Sequence, residues 1–222
     1  MCGKFTQMMS WSELVRYADI LAADAGPADT VTPMRFASVI CVEDGKRGVK
    51  RMCWGLVPPW EKDPSRGNRF IHARAETIDT KRTFRNAFAE RRGLVAVSTF
   101  NEGEEITPTK TRQYVITPKD EKPRAIAVIW ERWQGRDGSP SLLSFAVVTV
   151  PPNQLISTIT ERMPALIAPK DWAKWLGEEP ASAEEIMALL RPDESPMDMR
   201  PADGNREPSA KINRERDPDL FE

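Results

Sequence analysis

The chain has 222 residues, with 32 Lys and Arg against 33 Asp and Glu and a formal net charge of −1, which excludes the global basic field of a protein that coats nucleic acid and leaves only a local patch for such contacts. Three cysteines without C-x-x-C spacing (Cys2, Cys41, Cys53) and a single histidine, His72, argue against a disulfide framework and a zinc centre, and neither metal nor cofactor is expected. Lys4, Ser10, Glu13 and Arg16 interrupt the start, and no apolar run approaches the roughly 18 residues of a membrane span, so the expectation is a reduced, cytoplasmic, monomeric protein.

In chain order, "MCGKFTQ" places a small residue directly behind the initiator methionine. If Met1 is removed, Cys2 carries a thiol and a free amine on adjacent carbons, a pair that condenses with aldehydes and closes to a five-membered ring. The alternative is a semi-buried residue that starts a strand, and both readings stay open at this point. "SWSELVRYADIL" has Trp11, Leu14, Ala18 and Leu21 at helical spacing, with Ser10 and Glu13 as a capping box. "FASVICV" and "VKRMCWGL" read as strands around the tight turn Asp44-Gly45. "VPPWEKDPSRGNRF" reads as loop, followed by a short helix near residues 84–88 and a strand at "GLVAVSTF".

Farther on, "RQYVIT" and "RAIAVIW" suggest a hairpin across "PKDEKP", and "LLSFAVVTV" a central strand buried on both faces. "PNQLISTI" reads as a short helix, "MPALIA" as a strand, "PKDWAKWLG" as a helix closed by Gly177, and "SAEEIMALL" as a helix capped by Ser182 and Glu185. Short strands and helices at irregular spacing predict an α+β fold in a single domain, 1–190. A tail rich in proline and charge, 191–222, reads as flexible, with Met197, Met199 and Leu220-Phe221 able to dock on the body.

Chemistry concentrates in two stretches. Between Trp54 and Arg74, the rings of Trp54, Trp60 and Phe70 alternate with Lys62, Arg66, Arg69 and Arg74. That pattern suits single-stranded nucleic acid, whose bases stack while phosphates meet cations; it also suits core tryptophans beneath a solvated charged face. "IHARAET" puts His72, Arg74 and Glu76 at alternate positions, on one face of an extended segment. Glu102 follows just past the strand ending in "STF", where a sheet can present an acid to a cleft.

Taken together, "MCGKFTQ", "WGLVPPW", "HARAET", "FAVVTVPPN" and "ERMPALIAP" resemble the SOS-response-associated peptidase family, also known as abasic-site processing proteins. The resemblance extends to about Lys170. It implies a β-barrel-like mixed core flanked by short helices and bearing a positive groove. It further implies that the mature N-terminal cysteine forms a thiazolidine crosslink with abasic sites in single-stranded DNA, and that members process their own N-terminus. By position, Cys2 supplies both nucleophiles and Glu102 the acid–base carboxylate. Lys4, Arg74 and Arg162 meet phosphates, Pro33 and Trp60 line the groove, and the protein joins the nucleoid on damaged DNA.

This sequence departs from the family at two active-site positions, with His72 where asparagine is usual and Thr160 where histidine is usual. A tryptophan that usually closes the motif around the glutamate is also missing. The alternatives are therefore a single-stranded-DNA-binding module that has lost the reaction, or a thiol peptidase acting on other proteins.

Overall fold

The computed structural model describes residues 3–7, 29–135 and 140–202. Cys2 and the helix expected over residues 10–21 lie outside them. Strands β3 (Phe36–Glu43) and β4 (Lys46–Trp54) form the expected hairpin. Its turn residues, Asp44 and Gly45, take φ of 52° and 72°, which is the pair of positive angles that an Asp-Gly hairpin turn accommodates.

β6 (Arg92–Val97) pairs with the other edge of β3, β9 (Arg124–Trp133) with β6, and β10 (Leu142–Val150) with β9. β10 then returns to β4 in parallel, through Ser144–Cys53 and Phe145–Trp54, and closes a five-strand barrel. Nearly every residue of β9 and β10 is buried, because one face fills the barrel and other elements cover the second. Among these, α1 (Arg85–Glu90) lies on β9 and α2 (Trp172–Leu176) on β6. Phe88 meets Trp175 at 6.2 Å between ring centroids, and the Trp175 indole donates to the Gly93 carbonyl at 2.8 Å.

Beyond Val147, β10 exchanges its partners. On one edge β5 (His72–Arg74) takes over from β4; on the other, β11 (Met163–Pro164) fills the gap left as β9 diverges. A second sheet has the order β12 (Met197–Pro201), β8 (Lys110–Pro118), β7 (Thr99–Thr107), β1 (Lys4–Gln7), β2 (Asp29–Val31). β6 leads into β7 through a bend at Ser98, so one length of chain serves both sheets. The Gln7 side chain ties them again, donating to the Ser38 carbonyl at 3.0 Å and accepting from the Ser38 amide at 3.2 Å.

Several expectations change. β8 and β9 are not a hairpin: β8 pairs with β7 and β12, whereas β9 belongs to the barrel. The first half of β8 is exposed and β9 is buried at all but Arg124 and Arg132, so the two suit different sheets. "MPALIA" is a strand only at Met163–Pro164, with one further bridge between Leu166 and Ile126. Glu102 lies within β7, not past a strand end. Residues 197–201 are a strand, with Met197 in the core. α3 (Ala183–Ala188) carries the reciprocal Ser182–Glu185 capping box, and Gly177 closes α2. Among the described residues, no helix is long and apolar enough to cross a membrane.

Two glycines fix the approach to the site. Gly55, at φ 137°, faces Gly67 so closely that a Cβ on Gly67 would stand 2.4 Å from the Gly55 carbonyl oxygen. That contact is backbone to backbone, so no side chain can yield. Gly67→Ala is expected to lower stability by about 1–3 kcal/mol, the usual range for overpacking, visible as a reduced urea midpoint at unchanged slope. A midpoint equal to that of the native protein would show that the segment shifts freely.

Candidate active site and nucleic-acid interface

Trp54 closes β4 as a fully buried residue. Its ring lies 5.0 Å from Phe5 of β1, 6.3 Å from Phe145 of β10 in a stacked arrangement, and 6.1 Å from His72, edge to face. The indole N–H donates to the Ile71 carbonyl at 2.9 Å, and the same carbonyl accepts from the Val147 amide at 3.0 Å. Together these bonds seat β5 on β10 in the register His72–Val147, Ala73–Val148, Arg74–Thr149. Alternation does the rest: Ala73 points into the core, while His72 is half-buried and Arg74 exposed.

The shared face expected for His72, Arg74 and Glu76 holds only for the first two. After Arg74 the chain turns into a short 3₁₀ segment, Ala75–Thr77, so Glu76 is presented by a turn. Its carboxylate receives both arms of Arg162, at 2.5 and 2.9 Å, and Arg162 Nη2 also donates to the Thr149 carbonyl at 2.5 Å. The Arg162 hydrogen bonds, with Arg74 adding to the positive field, hold the Glu76 carboxyl below the usual carboxylate range.

Thr160 stands two residues before Arg162 in the loop between β10 and β11, and its amide bonds the Ile156 carbonyl at 3.1 Å. Asn153, buried and not singled out in the sequence, anchors this loop: its side chain accepts from the Ile156 amide at 2.9 Å and donates to the Asp193 carbonyl at 2.8 Å. A lone asparagine after two prolines carries no signal of its own; only the fold reveals its task.

On the second sheet, Glu102 is fully buried in β7, across from Tyr114 of β8. Its neighbour Asn101 pairs with Lys4 of β1, so Lys4 stands one register step from Glu102. Trp54 joins the two groups, because Phe5, next to Lys4, and His72 both rest on its ring. Pro33 lies in the turn leading to Met34, whose amide donates to the Trp54 carbonyl at 2.7 Å. Trp60 is different in kind. It is 42% exposed, with the Arg82 guanidinium 4.8 Å above its ring, a cation–π pair in which Arg82 had no visible sequence signal.

Cys41 and Cys53 are buried, and burial pushes both thiols up to about 11, which leaves them poor nucleophiles at neutral pH. Among the described residues, no group of three His, Cys, Asp or Glu side chains could hold a metal ion.

Comparison with known proteins gives a consistent picture. A family model, "SOS response associated peptidase (SRAP)", matches residues 1–205. The chain is 28% identical over 196 residues to the abasic site processing protein YoqW of Bacillus subtilis, covering 86% of this chain and 87% of that one. It is 29% identical over 196 residues to YoaM, an abasic site processing protein of the same organism, with 86% of each chain covered. A crystal structure of a protein from Bacteroides thetaiotaomicron superposes with a TM-score of 0.76 at 26% identity, over 90% of this chain and 91% of that one. With the match running from the first residue through β12, the chain belongs to the SOS response associated peptidase family.

Proposed function

We propose that this protein captures abasic sites in single-stranded DNA and links to them covalently through Cys2. The observation that supports the reading is the position of β1 between β2 and β7, with Lys4, two residues after Cys2 in sequence, one register step from the fully buried Glu102. Family membership and the names of the relatives support the substrate. Arg74, Arg162 and Lys4 meet phosphates, and Trp60, with Pro33, offers the strand an apolar wall.

The reaction begins once Met1 has been removed. The α-amine of Cys2, with an ordinary pKa of about 7.7–8.0, adds to the aldehyde carbon of the ring-opened sugar. A proton donor lets the carbinolamine hydroxyl leave as water, giving the imine. The Cys2 sulfur then bonds to the imine carbon, its proton passes to the nitrogen, and the ring is a thiazolidine. One water is lost overall. Glu102, in a desolvated wall, is the acid that delivers and recovers protons. Hydrolysis of the bond after Met1 by the same groups is the self-processing peptidase step.

Two outcomes follow. An oligonucleotide with one abasic site should give a denaturation-resistant adduct on a gel, and Cys2→Ala should abolish it. Native alkylation near pH 8 should modify Cys2 and spare Cys41 and Cys53, blocking the adduct in proportion. An adduct that survives either treatment would remove Cys2 from the mechanism, and binding without any adduct would favour a non-catalytic DNA-binding module.

His72 takes over proton transfer that Thr160 cannot perform, since a hydroxyl does not exchange a proton usefully near pH 7. His72→Ala should slow crosslinking by about 10²-fold or more. His72→Asn should also remove whatever part of the rate's pH dependence the imidazole supplies. Unchanged rates and an unchanged pH profile would reduce His72 to a packing partner of Trp54.

A further inference from the structure

The guanidinium of Arg162 is closed in the free protein. It is held on one side by Thr149, 1% exposed near the end of β10 and paired there with β5 on one edge and β11 on the other, and on the other side by both oxygens of Glu76. The two anchors differ in mobility. Thr149 cannot leave without unzipping β10, whereas Glu76 sits on a single 3₁₀ turn with a side chain 47% exposed. The register of β5 puts Arg74 opposite Thr149 as well, so the Glu76 carboxylate lies in the field of two arginines. A planar anion held bidentately by one arginine beside a second is the arrangement that a backbone phosphate would adopt.

We propose that Glu76 occupies the phosphate seat of Arg162 in the free protein and surrenders it to a backbone phosphate of single-stranded DNA, so that this carboxylate sets how tightly the groove holds a strand. The inference rests on the reading that the Arg74–Arg162 surface faces DNA. Exchange follows from the geometry. A phosphate presented by a strand already lying in the groove competes with Glu76 at high effective concentration, whereas a free anion does not. Because carboxylate and phosphate compete for one guanidinium, weakening the Glu76–Arg162 pair strengthens phosphate binding, at most by the factor the pair loses. Glu76 is thus a specificity-determining residue: it makes the Arg162 contact conditional on a strand that other contacts have positioned.

Fluorescence anisotropy with an undamaged labelled single strand tests this without the covalent step. Four proteins are compared at one salt concentration: native, Glu76→Gln, Arg162→Ala and the double variant. Glu76→Gln should bind at least about fivefold more tightly than native, the lower end of ordinary coupling. Arg162→Ala should bind more weakly, and adding Glu76→Gln to it should change nothing further. If Glu76→Gln loses its cooperative melting transition, Glu76→Asp replaces it with the same expected sign, because the shorter side chain cannot span both arms of the fork. A Glu76 variant that binds no better than native, while Arg162→Ala still weakens binding, overturns the inference and leaves the groove reading intact. A gain that persists in the Arg162→Ala background also overturns it, since removing any negative charge would then suffice. No binding by any of the four at low salt overturns the groove reading and this inference with it.

Discussion

The indole of Trp54 is the point on which the two sheets and the candidate site converge. β1 is described over Lys4–Gln7 and pairs with β2 on one edge and β7 on the other. Phe5 gives it an anchor by burying its ring against Trp54, and the Gln7 amide completes the attachment at Ser38. On its other faces the same indole stacks on Phe145 and receives the edge of His72, while its N–H fixes the carbonyl from which β5 begins. Ring contacts of this kind contribute about 0.5–1.5 kcal/mol each beyond burial. Their larger effect is positional, because one rigid side chain sets the distance between Phe5 of β1 and His72.

Around this anchor the polar groups are divided by dielectric. Glu102 is wholly enclosed, where transfer of a proton is sensitive to every nearby dipole. Arg74 and the Trp60–Arg82 pair lie at the surface, where salt screens them. Glu76 and Arg162 stand between these regimes, with side chains 47% and 13% exposed. A chain of net charge −1 can therefore gather cations locally at its surface, as at Arg74 and Arg82. Cys41 and Cys53 show the same division from the opposite side: burial disarms their thiols.

Much of the frame was legible in the sequence. The Asp44-Gly45 turn, the Ser182–Glu185 capping box and the doubly buried strand at 142–150 are local or compositional signals, and each is present. The motif order reached the family because it combines five weak signals at fixed spacing. Pairing between distant segments was not legible. Nothing local distinguishes β8 from β9 as hairpin partners, because the choice depends on which sheet has a vacant edge. The same limit hid the site's supporting residues. Asn153 and Arg82 become informative only when Ile156, Asp193 and Trp60 are brought beside them. The alternation that placed His72 and Arg74 together failed at Glu76, since a 3₁₀ turn interrupts the strand after two steps, and that turn is what offers Glu76 to Arg162.

The central claim is chemical: one thiol and one amine on adjacent carbons close on a single aldehyde carbon. Intact mass of the purified conjugate with an abasic-site oligonucleotide tests it most directly. The account predicts the mass of the protein without Met1, plus that of the oligonucleotide, less one water, with the modification mapped to the N-terminal peptide. A conjugate that retains Met1, or one whose modification maps to a lysine, would contradict it.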